Sequence, residues 1–117
     1  MTLKTLESYG HSFQLKVINS LLKERQFLLN IRDTIETEFF EHLGHRYIVE
    51  QILDYFDKYH SPPNLEYFSV EVKKLDNPVL QTAIKEQLKS IYSLENEDKE
   101  YVQKEFNEFC INQKLKK

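Results

Sequence analysis

Apolar residues recur along this chain at helical spacing almost from one end to the other. Phe13, Val17 and Leu21, flanked by Leu15, Ile18 and Leu22, share one helical face, and Gly10 to Ser12 supplies a start signal, so a first helix with a broad apolar side is predicted. After the polar break Lys23-Glu24-Arg25, the set Phe27, Leu28, Ile31 and Ile35 covers one face of a second, shorter helix. Thr37-Glu38-Phe39-Phe40 then sets two aromatics side by side and reads as a linking turn, which buries such a pair more easily than a solvent-facing helix does. The cleanest pattern runs from about His42 or Gly44 to Tyr59, with Ile48, Ile52, Tyr55, Phe56 and Tyr59 on one stripe.

Ser61-Pro62-Pro63-Asn64 ends that third helix, because proline lacks an N–H donor and pushes the residue before it towards extended geometry. Asn64 is a good N-cap for a fourth helix marked by Leu65, Phe68, Val72 and Leu75. Asn77-Pro78 is another start, a capping side chain followed by proline at the first helical position, and Leu80, Ile84, Leu88 and Ile91 recur behind it. The chain turns around Leu94 to Asn96. Asn96 is expected to cap a last helix whose first turn carries Glu97 and Asp98, favourable beside the positive end of the helix dipole, and whose apolar face is Val102, Phe106, Phe109 and Leu115. Residues 1–76 thus read as a compact helical body and 77–117 as a helical hairpin of two long arms, within one domain overall.

Composition agrees with an all-α fold. Only two Gly and three Pro leave little material for tight hairpin turns, and eight Phe with seven Tyr argue against disorder, which is depleted in aromatics. A chain of 117 residues can bury most of its apolar surface without disulfides or metal. The net charge of -3 offers no general attraction to phosphates, so nucleic acid is not an expected partner. The single Cys110 cannot form an internal disulfide and no signal-peptide pattern opens the chain, which points to a reducing, cytoplasmic setting. No apolar run approaches the roughly 20 residues of a membrane span.

Catalytic and metal chemistry find little support. With Gly10 and Gly44 as the only glycines, no phosphate-binding loop can be built. His42 and His45 stand three apart and could share a helix face, but no Cys or further His has the spacing to complete a tetrahedral site, His11 and His60 being remote in sequence, so neither metal nor cofactor is expected. Cys110 beside Phe106 and Phe109 reads as a buried structural thiol rather than a nucleophile. The acidic run Glu95-Asn96-Glu97-Asp98-Lys99-Glu100 reads as a solvated turn rather than a docking site, and Lys114 to Lys117 as a solvated helix end. The Tyr and Phe stripe from Tyr47 to Tyr59 could stack bases, yet its helical spacing and lack of interleaved Arg or Lys make it core.

From Phe13 to about Leu75 the order of features resembles the N-terminal domain of DnaB-type replicative helicases. The matching pieces are Val17-Ile18-Asn19-Ser20-Leu21-Leu22, Glu24 to Ile35, Glu38-Phe39-Phe40, His45-Arg46-Tyr47-Ile48-Val49-Glu50-Gln51-Ile52-Leu53 and Pro63-Asn64-Leu65. Glu108-Phe109-Cys110-Ile111-Asn112-Gln113 is similar to phage-type members approaching the linker to their motor. Asn19 stands where many members have glycine, and Thr37-Glu38 replaces a common Pro-Glu, which favours a phage or mobile-element version. The resemblance implies a non-catalytic collar: such domains pair through their hairpins, six form a ring above the ATPase motors, and the collar engages primase or a helicase loader.

The expectation is therefore a homo-oligomeric assembly and docking domain for DNA replication, with no enzyme activity of its own, whose linker and motor would lie beyond Lys117. Periodicity offers Leu80, Ile84, Leu88, Ile91, Val102, Phe106 and Phe109 as its self-association surface, since a two-helix arm hides only part of each stripe and isolated helices are marginal in water. The alternative is a free-standing helical phage regulator that binds a replication protein. Whether the reading frame continues into a phosphate-loop domain separates the two.

Overall fold

The structure, a computed structural model, describes residues 5–115. Its six α-helices are α1 (His11–Lys23), α2 (Arg25–Ile31), α3 (Leu43–Tyr59), α4 (Leu65–Val72), α5 (Pro78–Ser93) and α6 (Lys99–Leu115), with short 3-10 turns at Leu6–Tyr9 and Thr37–Phe39. No strand occurs among the described residues, and the class is all-α.

Most boundaries follow from local chemistry. Asn64 Oδ1 accepts from the Tyr67 N–H at 3.0 Å, and Asn77 Oδ1 from the Leu80 N–H at 3.1 Å with Pro78 in the first turn, so both predicted caps are made. His60 closes α3 in the left-handed conformation, φ 60, before the two prolines. The second helix is shorter than its apolar pattern: it stops at Ile31, and Ile35 reaches the core from the loop beyond. The predicted cap at Asn96 is not made. The helix starts at Lys99, and Asn96 instead donates its Nδ2 to the Lys16 carbonyl and the Ser20 hydroxyl, at 3.1 and 3.2 Å, fastening the α5–α6 turn to α1.

Helix α1 lies at the centre and packs against α2, α3, α5 and α6. The core around it is one continuous cluster, from Leu6 and Val17 through Ile48 and Phe68 to Ile84, Phe106 and Cys110, and it crosses the Asp76-Asn77-Pro78 joint without interruption. Phe39 and Phe40 are both buried, as the linking-turn reading requires. They are held by α6, Phe39 edge-on to Phe109 at 5.0 Å and Phe40 against Phe106 at 6.1 Å.

The two C-terminal helices are joined by a turn, but they do not project as a free arm. Helix α5 packs on α3, α1 and α4, and α6 on α1 and α2, so α1 lies between them. The expected self-association surface is corrected accordingly. Ile84, Leu88, Ile91, Val102, Phe106 and Phe109 are buried within the chain's own core, and Leu80 is half-buried against it. An apolar stripe facing a central helix is consumed by that helix and is not available to a second copy.

Candidate functional site

The fold gathers the chemistry-bearing side chains but holds them structurally. His11 at the start of α1 meets His42 and His45 at the start of α3. The His42 and His45 rings are 4.8 Å apart, those of His11 and His45 5.0 Å, and those of His11 and His42 6.2 Å. Sequence separation hid this cluster, because only the packing of α1 against α3 brings His11 in.

His45 is fully buried, with Nε2 2.8 Å from Gln87 Oε1 on α5. That amide oxygen only accepts, so Nε2 carries the proton, and the buried Nδ1 has no hydrogen-bond partner among the described residues. Burial pulls the imidazole down to about 4, the Gln87 bond opposes this, and the neighbouring His42 and His11 add to it. His42 acts as the N-cap of α3: its Nδ1 accepts from the Gly44 N–H at 2.9 Å. Glycine suits the position, since a Cβ at Gly44 would come within 3.0 Å of the His42 ring. The His11 and His45 rings stack at 26°, and among the described residues no group of three or more His, Cys, Asp or Glu is placed to hold a metal ion.

Cys110 is buried, and burial pushes its thiol up to about 12, so the thiolate needed for nucleophilic attack is not formed near neutrality. The acidic turn is partly tied down: Asp98 pairs with Lys16 at 3.1 Å and Lys99 with Glu24 at 2.7 Å, both against α1 or its end. Lys114 is exposed, and the two lysines after Leu115 lie outside the described residues.

The outer surface is where the sequence reading needs its main correction. The aromatic stripe of α3 divides in two. Ile48, Ile52 and Phe56 enter the core, whereas Tyr59 is 62% exposed and Tyr47 and Tyr55 are half-buried at the surface. Tyr55 packs at 4.6 Å from Tyr59 and 4.8 Å from Tyr67 of α4, and the Tyr67 hydroxyl donates to Gln51 Oε1 at 2.9 Å. The Tyr67 phenol is raised by burial and then by the carboxylates of Glu71 and Asp54. Carboxylates around these rings are unfavourable to a phosphate backbone, so the face is aromatic without suiting nucleic acid.

Other large apolar side chains stand on the outward sides of the C-terminal helices. Val79 on α5 is 80% exposed, with Ala83 beside it on the same shallow surface, and on α6 Tyr101 is 61% and Leu115 79% exposed. No helix of the described residues is long and apolar enough to cross a membrane. Comparison with protein-family models, with curated proteins and with solved structures finds no match.

Proposed function

We propose that this chain is a non-catalytic assembly and docking module, a collar domain of the kind found at the N-terminus of DnaB-type replicative helicases, acting in the cytoplasm. The observation that carries the reading is a division of labour. Cys110 and His45 are locked in the core, while large apolar side chains remain on the outward faces of α5 and α6. The buried thiol and imidazole are out of a substrate's reach, while the exposed side chains are open to contact with another protein. The order of sequence features that suggested the family supports the reading too: Val17, Ile18 and Leu21, Phe39 and Phe40, and Ile48 and Ile52 are all core residues.

On this reading copies associate through the outward surface of α5 around Val79 and Ala83, and the remaining surface receives primase or a helicase loader. Light scattering at micromolar concentration tests the first half. Dimers or larger species should form, and Val79→Glu should weaken them severalfold without loss of helical circular dichroism. A monomer at every concentration, unchanged by the substitution, would remove the assembly role. Capture of a neighbouring primase on the immobilised domain tests the second half.

A further inference from the structure

Tyrosine rings and carboxylates share the face where the outward side of α3 meets α4. Tyr59 is 62% exposed, and Tyr47, Tyr55 and Tyr67 are half-buried, so ring surface is open to contact. Tyr55 packs against both of its neighbours, tilted at 48° to Tyr59 and edge-on at 66° to Tyr67, and the Tyr67 hydroxyl is fastened to Gln51. The rings are set in place before anything binds, which spares a partner the cost of ordering them.

Two independent features of this face favour the same ligand. The first is its field. After burial itself, Glu71 and Asp54 raise the Tyr67 phenol, and Glu71, the Tyr67 phenol and Glu50 raise that of Tyr47. Part of this negative charge is unanswered: among the described residues the ion pairs engage Glu71, through Lys74, and Asp57, through Arg32, and none engages Glu50 or Asp54. Lys58, one turn beyond Asp54, is exposed and makes no ion pair with it. Glu50 and Asp54 are like charges at i and i+4 on α3, an arrangement that disfavours the helix and that a cation relieves. The second feature is the rings, whose faces attract a cation through their quadrupole.

We infer that this face docks a basic segment of a partner protein, in which an arginine guanidinium lies over the Tyr59 and Tyr55 rings and a second cation meets Glu50 and Asp54. Arginine suits the site better than lysine, because its planar guanidinium stacks on an aromatic ring and bonds a carboxylate through two N–H groups. The extent fits a peptide rather than a small amine: from Tyr47 to Tyr59 α3 rises about 18 Å, the span of an extended segment of about six residues. The rings supply contact area, and the carboxylates select the sign of the partner's charge and speed the encounter. The inference rests on the docking-module reading only in taking the chain to have a protein partner, and it uses no residue of the α5 surface around Val79.

The probe is a fluorescein-labelled peptide of about six residues with alternating arginine and alanine. Its fluorescence anisotropy is followed on titration with the intact chain. Tyr59→Ala should weaken binding at least about threefold, while Tyr59→Phe, which keeps the ring, should bind like the native chain. A peptide with lysine in place of arginine should bind more weakly, and one with uncharged citrulline should not bind. Glu50→Gln/Asp54→Asn should weaken binding and flatten its salt dependence, whereas Glu95→Gln/Glu97→Gln, in the α5–α6 turn, should leave it unchanged. All these positions are exposed, and helical circular dichroism verifies that each variant is folded. Absence of binding by the native chain, equal binding by Tyr59→Ala, or equal loss in the two carboxylate variants, the mark of general attraction to an acidic chain, would overturn the inference. If that happens while Val79→Glu still disrupts assembly, the tyrosine-face assignment fails and the module reading stands.

Discussion

At the residue scale, buried polar side chains do the work of joining helices. Asn19, at the position where the resembling family commonly has glycine, is 2% exposed and donates its Nδ2 to the Ile91 and Leu94 carbonyls at 2.9 and 3.4 Å. It adds a second hydrogen bond to the Ile91 carbonyl, which also accepts from the Leu94 N–H at 3.3 Å, and reaches the Leu94 carbonyl at the C-cap, so the departure from glycine fastens the end of α5 to α1. His45 does comparable work between α3 and α5 at the cost of a pH liability. Its ring is held at about 4 in the folded chain, below its ordinary 6.5. Between those values the unfolded chain takes up a proton that the folded chain refuses, so the stabilisation is fully present above pH 6.5 and is lost as pH falls towards 4. The loss should reach about 3 kcal/mol. Urea unfolding of the native chain and of His45→Gln across this range measures it, because only the difference between the two isolates the ring from titrating carboxylates. Parallel curves would show that the ring is not held neutral. None of this was legible in the sequence, where His42 and His45 were a pair and His11 was remote.

At the element scale, starts and stops were well announced wherever they are set by local hydrogen bonds. Asn64 and Asn77 cap the helices that follow them because an Asn side chain reaches an N–H two or three residues on without help from the rest of the fold. Asn77→Ala should therefore cost about 1 kcal/mol, read as a lower urea midpoint with an unchanged slope, and no change in midpoint would show that the cap is energetically idle. Asn96 has the same chemistry but is not a cap, since α1 offers its amide a carbonyl and a hydroxyl across the fold. The stripe on α3 shows a related limit. Ile48, Ile52 and Phe56 lie on the same helix as Tyr55 and Tyr59, and helical spacing alone groups them. Which edge of a broad stripe is covered depends on where neighbouring helices stop, and here Tyr59 lies beyond the covered part.

At the scale of the whole molecule, the same physics corrects the expected hairpin surface. Ile84 and Phe106 face the core, so Ile84→Glu should not release a folded monomer from a dimer. It should unfold the chain, because an unpaired buried carboxylate costs about 3–5 kcal/mol, a large share of the stability of a domain this size. Thermal circular dichroism checks this, and a folded Ile84→Glu protein would contradict the packing. Val79→Glu, at an 80% exposed site, should stay within about 0.5 kcal/mol of the native stability. By itself the sequence determined the all-α class, most helix starts, the burial of the Phe39-Phe40 turn and the inert setting of Cys110. Each of these follows from local periodicity, capping or side-chain size, which act over a few residues. Tertiary structure alone decided that α1 lies between α5 and α6, that three histidines meet and that the tyrosines of α3 face outwards. Those are relations between segments far apart in the chain, and helical spacing says which side of a helix is apolar without saying what lies against it.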